Sequence, residues 1–191
     1  MKVIAFNGSP RKEGNTNSLI NVVFNELEKE GIETEKVWIC GGRIQGCIGC
    51  LKCVENLDKR CSVKKDKLND YIEKMVEADG IILGSPTYFG SVSAEMKMLI
   101  DRAGMVSMAN DCLLRRKVGA AVIAARRGGA SDTFNTINHF FFLNQMIVPG
   151  SIYWNFAFGF NKGEVEKDEE GIMTMKVLGE NMAWCLKKLN G

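Results

Sequence analysis

The sequence has very little histidine and no excess of charge, and both shortages exclude classes of function. His139 is the single histidine among 191 residues. Most familiar zinc-enzyme sites depend on histidine and are therefore excluded. Lysine and arginine number 25 against 23 aspartates and glutamates, which leaves a net charge of +2. That balance gives no electrostatic reason to expect a nucleic acid or an anionic membrane as a partner.

Long apolar runs are also missing. No stretch approaches the roughly 20 apolar residues of a membrane-spanning helix. The apolar run within residues 1–8 is too short for a signal peptide. The cysteine count is seven, and an odd count without a secretion signal favours a reducing compartment. We therefore expect a cytoplasmic protein.

The chain length and its 46% hydrophobic content predict a single domain over residues 1–191, with an insertion at about residues 41–65. Short apolar runs alternate with segments of helical periodicity. The predicted strands cover residues 2–7, 34–40, 80–84, 118–125 and 146–153. The predicted helices cover residues 19–27, 68–76, 94–102, 133–145 and 169–189. Near-continuous apolar strands are typical of a sheet covered on both faces. The prediction is an α/β fold with a doubly wound, five-stranded parallel sheet in the flavodoxin-like order 2-1-3-4-5.

In that order, ligands bind at the carboxyl ends of the first and third strands. The loop after the first strand carries hydroxyl groups at Ser9 and Thr16, and Arg11 as a candidate phosphate partner. Asn15-Thr16-Asn17 are the candidate caps of the following helix, whose N-terminus favours anions. Neither Walker A nor dinucleotide-fingerprint spacing is present. The loop predicts a phosphate cradle for a mononucleotide, and a polar turn with a good cap is the alternative.

The loops after the third and fourth strands approach the same point. Ser85-Pro86-Thr87-Tyr88-Phe89-Gly90 offers aromatic surface beside backbone amides, which suits a flat heteroaromatic ring. An aromatic corner packed on the sheet is the alternative. Arg126-Arg127-Gly128-Gly129 lets the backbone come close to the pocket, although its arginines equally suit exposed surface.

Together these three loops resemble the NADPH-dependent FMN reductase superfamily, and the resemblance covers essentially the whole chain. It implies FMN as cofactor and a flavin-dependent oxidoreductase as the type of enzyme. The residues it assigns to the FMN phosphate are Ser9, Arg11, Asn15, Thr16 and Asn17. Those it assigns to the isoalloxazine are Pro86, Thr87, Tyr88, Phe89 and Gly90, with Gly128 and Gly129 near the pyrimidine end.

Four of the seven cysteines lie close together in the predicted insertion, at Cys47, Cys50, Cys53 and Cys61. Three thiolates at this spacing can wrap one face of a cubane, and a later cysteine can close it. The pattern is not the ferredoxin run, because Leu57 stands at the fourth position and no proline follows. A [4Fe–4S] cluster is the leading interpretation. Zinc, a redox-active dithiol and inert thiols are the alternatives.

The same spacing resembles the compact cysteine motif of the iron–sulfur flavoproteins, a branch of that superfamily. The resemblance implies a cluster beside the FMN of a neighbouring subunit. The gap between Cys53 and Cys61 is at the long end for that branch.

The remaining cysteines, Cys40, Cys112 and Cys185, are expected in the core. His139 is expected to be structural or to lie at an interface. A high density of aromatic side chains in the C-terminal half favours subunit contact in a homodimer or homotetramer. Its members are Phe140, Phe141, Phe142, Trp154, Phe156, Phe158 and Phe160.

The sequence thus predicts an FMN-dependent oxidoreductase that passes electrons between FMN and a [4Fe–4S] cluster. No catalytic side chain is assigned, because the cofactors carry the redox chemistry. The expected electron partners are NAD(P)H, a ferredoxin or a quinone. A cluster-free NAD(P)H-dependent FMN or quinone reductase is the alternative. A non-enzymatic carrier like flavodoxin is a further alternative, against which the net charge of +2 counts, since such a carrier should be acidic.

Overall fold

The chain folds into a five-stranded parallel sheet with helices on both faces. The computed structural model describes residues 1–191. The strands are β1 (Lys2–Asn7), β2 (Glu33–Trp38), β3 (Gly80–Pro86), β4 (Val118–Ala125) and β5 (Phe156–Phe158). The helices are α1 (Asn15–Lys29), α2 (Lys52–Asn56), α3 (Leu68–Glu77), α4 (Ala94–Ala109), α5 (Ala130–Leu143) and α6 (Glu169–Asn190). The strand order is β2-β1-β3-β4-β5 with parallel pairing throughout, which confirms the predicted flavodoxin-like arrangement.

Two apolar cores flank the sheet, because successive side chains of a strand point to opposite faces. On β1, Ile4 and Phe6 enter the core formed with α3, α4 and α5, whereas Val3 and Ala5 enter the core formed with α1 and α6. All four side chains are fully buried. The edge strand β2 differs, since its residues are exposed or half-buried. The expectation that every strand is covered on both faces is therefore wrong for β2.

The fifth strand lies later in the chain than the sequence predicts. Residues 146–153 were the expected strand, but β5 covers Phe156–Phe158. In the expected segment Ile147 makes an isolated parallel bridge to Val118. Pro149 then follows, and proline has no N–H to donate to a strand ladder. The chain therefore leaves the sheet and returns to it for the three residues of β5.

The end of β2 and the start of α1 also differ from the sequence prediction. β2 ends at Trp38 rather than at residue 40, because the chain turns into a 3-10 helix over Ile39–Gly42. The cap of α1 is Gly14, and no side chain caps this helix. Asn15-Thr16-Asn17 are thus the first turn of α1 and not its caps, which leaves their side chains available for other contacts.

A buried serine joins the ends of β1 and β3 to the start of α4. Ser93 caps α4 by accepting a hydrogen bond from the Met96 N–H at 3.2 Å. Its hydroxyl donates to the Gly8 carbonyl at 2.6 Å, and its own N–H donates to Ser85 Oγ at 3.0 Å. These contacts fix the two loops that follow β1 and β3 against one helix.

The longest helix, α6, has 22 residues. Neither it nor any other helix combines the length and the apolar character that crossing a membrane requires.

The Ser93 junction predicts a measurable stability effect. Ser93→Ala removes the cap and leaves the buried Gly8 carbonyl without its partner. We expect the free energy of unfolding to fall by about 1–3 kcal/mol, measured by urea denaturation. Ser131→Ala is the control, since Ser131 is exposed in the first turn of α5. Equal effects of the two substitutions would contradict the role given to Ser93.

Candidate functional site

A cavity of about 260 Å³ lies at the carboxyl ends of β1, β3 and β4. Seven of the predicted flavin-site residues line it: Ser9, Arg11, Asn15, Thr16, Pro86, Thr87 and Tyr88. Five others do not: Asn17, Phe89, Gly90, Gly128 and Gly129. The lining is completed by Ala124, Ala125, Arg126, Gly159 and Phe160. The cavity therefore forms where the strand order reverses, as the sequence predicts.

The first turn of α1 supplies unpaired hydrogen-bond donors to this cavity. Thr16 is 1% exposed, yet its hydroxyl has no partner in the protein. The N–H groups of Asn15 and Thr16 also make no hydrogen bond, because they lie in the first turn of the helix. A helix N-terminus attracts negative charge. The donor set fits an anion such as the phosphate of FMN.

The side chain of Asn15 is engaged in hydrogen bonds within the protein. Its Nδ2 donates to the carbonyls of Gly159 and Asn161 at 3.1 and 3.0 Å. Its Oδ1 accepts from the Gly163 N–H at 2.8 Å. The side chain is therefore occupied in joining the first loop to the loop after β5. The Asn15 side chain shapes the wall of the cavity, and only its backbone N–H is left as a donor to a ligand.

The loop after β5 is the part of the wall that the sequence analysis missed. Glu164 accepts hydrogen bonds from Asn161 Nδ2 and the N–H groups of Asn161 and Phe160, at 2.7, 2.9 and 2.8 Å. These bonds, with the Asn161 side chain contributing most, lower the pKa of Glu164 to about 2. The carboxylate thus stays ionised and holds the loop closed. The Arg11 guanidinium adds a bond to the Phe160 carbonyl at 3.3 Å.

Arg126 and Phe160 meet at the cavity wall. The guanidinium carbon of Arg126 lies 4.4 Å from the centre of the Phe160 ring, a cation–π contact. Both side chains line the cavity. Arg126 therefore lines the cavity and is also exposed to solvent, so it satisfies both expectations for the arginine loop.

The loop after β3 forms a tight turn beside the cavity. Tyr88 and Ser91 exchange two backbone hydrogen bonds, at 2.9 and 3.0 Å. Between them, Phe89 and Gly90 both have positive φ, 49° and 71°, as in a type I′ turn. Tyr88 faces the cavity, whereas Phe89 is fully exposed at the tip.

Gly129 supports that turn from the start of α5. Its φ is 77°, and a Cβ at this position would lie 3.0 Å from the Gly90 Cα. Gly90 and Gly129 therefore allow the loop after β3 to contact the loop after β4. Neither glycine lines the cavity itself. Nothing lies within 4 Å of a Cβ placed on Gly128.

The four clustered cysteines meet at a second cavity of about 180 Å³. Its lining includes Cys47, Cys50, Cys53 and Cys61, and nearly all of its exposed surface is apolar. Cys53 lies on α2, a short helix that the sequence analysis did not predict. The thiols are all free. No three metal-ligating side chains are close enough together in this structure to hold a metal ion.

The four thiols differ in surroundings. Cys47 and Cys50 are exposed, whereas Cys53 and Cys61 are half-buried. Cys50 Sγ lies 3.2 Å from Ser62 Oγ, and this hydrogen bond is the main cause that lowers the pKa of Cys50. Burial raises the pKa of Cys53. Cys61 is held at its backbone, since its N–H donates to Asn69 Oδ1 at 2.7 Å and its carbonyl accepts from Asn69 Nδ2 at 2.9 Å.

A buried ion pair behind this cavity was not predicted. Arg102 on α4 and Asp66 have side chains only 1% and 5% exposed, and Arg102 Nη1 lies 2.5 Å from Asp66 Oδ2. Burial alone would raise the pKa of Asp66. Hydrogen bonds from Arg102 and from the N–H groups of Gln45 and Leu68 outweigh it and lower that pKa. The pair is therefore ionised.

The other cysteines are only partly in the core. Cys40 packs against the core on the α3–α5 face, and burial raises its pKa to about 11. Cys185 packs against the opposite core. Cys112 packs against neither, because it lies in a turn just after α4 with a φ of 52°. The expectation of a core position is wrong for Cys112.

The aromatic set divides in a similar way. Phe140 and Phe141 are buried in the core, and Phe156 is half-buried. The exposed members are Phe142, Trp154, Phe158 and Phe160. His139 is exposed and borders a shallow surface cavity of about 570 Å³ together with Phe142 and Trp154. Contact with a second subunit at this surface stays a prediction.

Comparisons with known proteins agree with this geometry. The family model described as NADPH-dependent FMN reductase matches residues 1–161. An iron–sulfur flavoprotein of Methanocaldococcus jannaschii is 41% identical over 194 positions, which span 98% of each chain. An iron–sulfur flavoprotein of Archaeoglobus fulgidus is 36% identical over 193 positions, 95% of this chain and 94% of its own. A solved flavodoxin from the domain Archaea matches with a TM-score of 0.63 at 16% identity, over 98% of this chain and 99% of its own, which shows a shared fold alone.

Because the Thr16 hydroxyl is unpaired, its removal should weaken FMN binding without lowering the stability of the protein. Thr16→Val keeps the shape of the side chain and removes a hydroxyl that bonds to nothing in the protein. We expect the stability of the flavin-free protein to be unchanged or higher, because an unpaired buried hydroxyl is destabilising. FMN binding should weaken by about tenfold to a hundredfold, the worth of a hydrogen bond to a charged group, measured by fluorescence titration.

The control for that experiment is Ser18→Ala, in the same helical turn. Ser18 Oγ bonds to Glu166 Oε1 at 3.2 Å, outside the cavity. Its loss should leave FMN affinity unchanged. Equal affinity of the Thr16 variant and the unaltered protein would place the phosphate elsewhere.

Proposed function

Because the chain belongs to the NADPH-dependent FMN reductase family, we propose that it passes electrons between FMN and a [4Fe–4S] cluster held by its cysteine loop. As a member of this family it is an FMN-dependent oxidoreductase. The presence of a [4Fe–4S] cluster goes beyond what membership of this family establishes. The observation that carries it is that all four clustered cysteines line one cavity with an apolar surface.

FMN fits the first cavity. The Thr16 hydroxyl and the free N–H groups of the first turn of α1 would hold its phosphate, with Arg11 beside them. Pro86, Thr87 and Tyr88 would line the ring. When bound there, FMN supplies the exchange of electrons and hydride that no side chain of the cavity can supply. The protein's part is to bind the cofactor and to limit access of water to it.

A [4Fe–4S] cluster fits the second cavity in donor type and number. Cys47, Cys50, Cys53 and Cys61 provide four thiols, the usual ligands of such a cluster. No histidine or carboxylate stands among the lining residues, so the ligands would be thiolates alone, a set that a [4Fe–4S] cluster and zinc both use. The relatives from M. jannaschii and A. fulgidus are named iron–sulfur flavoproteins. Their names support the same assignment for this chain.

A cluster-free NAD(P)H-dependent FMN or quinone reductase is the second candidate. One observation favours it: no three of the thiols lie close enough together to hold a metal ion. In this case the cysteines would be passive or would form a dithiol. The first cavity would then be the single redox site.

The reaction needs an electron donor and an electron acceptor outside the chain. NAD(P)H or a ferredoxin would serve as donor, and a quinone or another protein as acceptor. A second copy of the chain is a further partner of this proposal. The exposed aromatic residues Phe142, Trp154 and Phe158 support a homodimer or homotetramer, because water-exposed aromatic surface of this extent is unusual on a monomer.

The iron content of the protein tests the first candidate. Purification without oxygen should give about four iron atoms and four acid-labile sulfides per chain, the composition of this cluster. Cys50→Ala should lose the iron and keep the FMN, and its exposed position means that little stability is lost. Cys112→Ala is the control and should keep both cofactors. Protein that carries FMN without iron would overturn the cluster.

Turnover separates the two candidates further. The cluster-free reductase predicts that Cys50→Ala oxidises NAD(P)H with a soluble quinone as fast as the unaltered protein. The leading proposal predicts that electrons supplied by a reduced ferredoxin no longer reach the FMN of this variant. Anaerobic stopped-flow absorption at the flavin band measures both reactions.

A further inference from the structure

Arg102 is the largest fully buried side chain of the protein. It lies on α4 and lines the second cavity, that of the four clustered cysteines (the cysteine cavity), and not the first, proposed to hold FMN (the flavin cavity). Burying a guanidinium is costly unless the charge is paired and its N–H groups are bonded. Packing alone therefore does not explain why Arg102 is buried, whereas its hydrogen-bond partners do.

The guanidinium bonds to both ends of the cysteine loop. Nη1 donates to the Gln45 carbonyl at 3.0 Å, just before the first cysteine of the loop. Nη2 lies 3.4 Å from the Val63 carbonyl, just after the last one. Asp66, the counter-ion, also accepts from the Gln45 N–H at 3.1 Å. One ion pair thus closes the base of the loop.

The remaining partner of Arg102 is a candidate ligand. Nη2 donates to Cys61 Sγ at 3.3 Å. Cys61 is therefore held at its N–H, its carbonyl and its sulfur, the first two by Asn69. None of the other three clustered cysteines has a charged group bonded to its sulfur. Cys61 is therefore the most firmly held of the four clustered cysteines.

We propose that Arg102 is a positioning residue that fixes Cys61 and raises the reduction potential of the iron–sulfur centre. This inference rests on the proposed function. A tetrathiolate cluster carries negative charge, and reduction adds one more. Hydrogen bonds to the ligating sulfurs and net charge both set the potential of such a cluster. The Arg102–Asp66 pair is neutral as a whole, but its guanidinium donates directly to the sulfur, and a hydrogen bond to a ligating sulfur favours the reduced form.

Three variants test the proposal. Arg102→Lys keeps the positive charge but lacks the fork that reaches Asp66, the loop carbonyls and Cys61 together. Arg102→Met combined with Asp66→Asn removes both charges, so no lone charge is left buried. Arg115→Met is the matched control, because Arg115 pairs with Asp111 on the surface at the end of α4.

The reduction potential of the cluster distinguishes the proposal, because it would not change if Arg102 served only to stabilise the fold. In anaerobic redox titrations of the iron-loaded protein, the double variant should have a more negative cluster potential. We expect the reduced-to-oxidised ratio at fixed potential to fall at least tenfold, which corresponds to about 59 mV for one electron. The FMN potential should not change. The cluster potential of Arg102→Lys should lie between those of the double variant and the unaltered protein.

The positioning role is tested separately on iron-free protein by hydrogen exchange and mass spectrometry. Amides within residues 45–66 should exchange at least tenfold faster in both Arg102 variants, with no change in β1 or β3. Arg115→Met should match the unaltered protein in both measurements.

The outcomes are distinguishable. Iron-loaded variants with the potential and exchange rates of the unaltered protein would overturn the role of Arg102 and leave the cluster standing. An unaltered protein that binds no iron overturns the proposed function and, with it, the effect on potential. The exchange experiment still decides in that case whether Arg102 orders Cys61.

Discussion

The hydrogen bond from the Ser93 hydroxyl to the Gly8 carbonyl fixes α4 against the ends of β1 and β3, and both sites depend on where α4 lies. At its start, this helix sets the positions of the loops that form the flavin cavity. Nine residues further on, it carries Arg102 beneath the cysteine loop. The two cavities are therefore not independent surface features. They depend on the start and the middle of one helix that a buried serine holds in register with the sheet.

Each cavity also keeps a buried polar atom without a partner. Five buried side-chain atoms in the protein have none, and they include Thr16 Oγ1 and Arg102 Nε. An unpaired buried polar group is destabilising, so such atoms are few in folded proteins. At Thr16 the atom borders the flavin cavity and awaits an acceptor. At Arg102 it belongs to a charged group that also bonds to Cys61.

The fold could be predicted from sequence because four of its strands and all its long helices have their signal within a short window. β5 could not, since three residues carry too little pattern and the more apolar run before it contains Pro149. That the loop after β1 lines a cavity was predictable, because its polar residues follow the end of a buried strand. The structural role of Asn15 was not, because its partners lie 144 to 148 residues away. Arg102 was missed for a similar reason, since its partner Asp66 is 36 residues away and sequence gives an arginine in a helix no mark of burial.

The placement of two sites on one helix makes α4 intolerant of changes in length. A helix advances about 1.5 Å and turns about 100° for every residue, so Arg102 lies roughly 13 Å along the axis from Ser93 on one particular side. A single inserted residue between them would keep the cap intact and swing the guanidinium a quarter-turn away from Cys61. The segment between Cys53 and Cys61 is less restricted, because Cys61 is anchored from outside the loop, although the Lys59 N–H makes a hydrogen bond to Asn110 Oδ1 just after α4. Insertions and deletions should therefore accumulate between these two cysteines during evolution, while α4 changes in sequence and keeps its length.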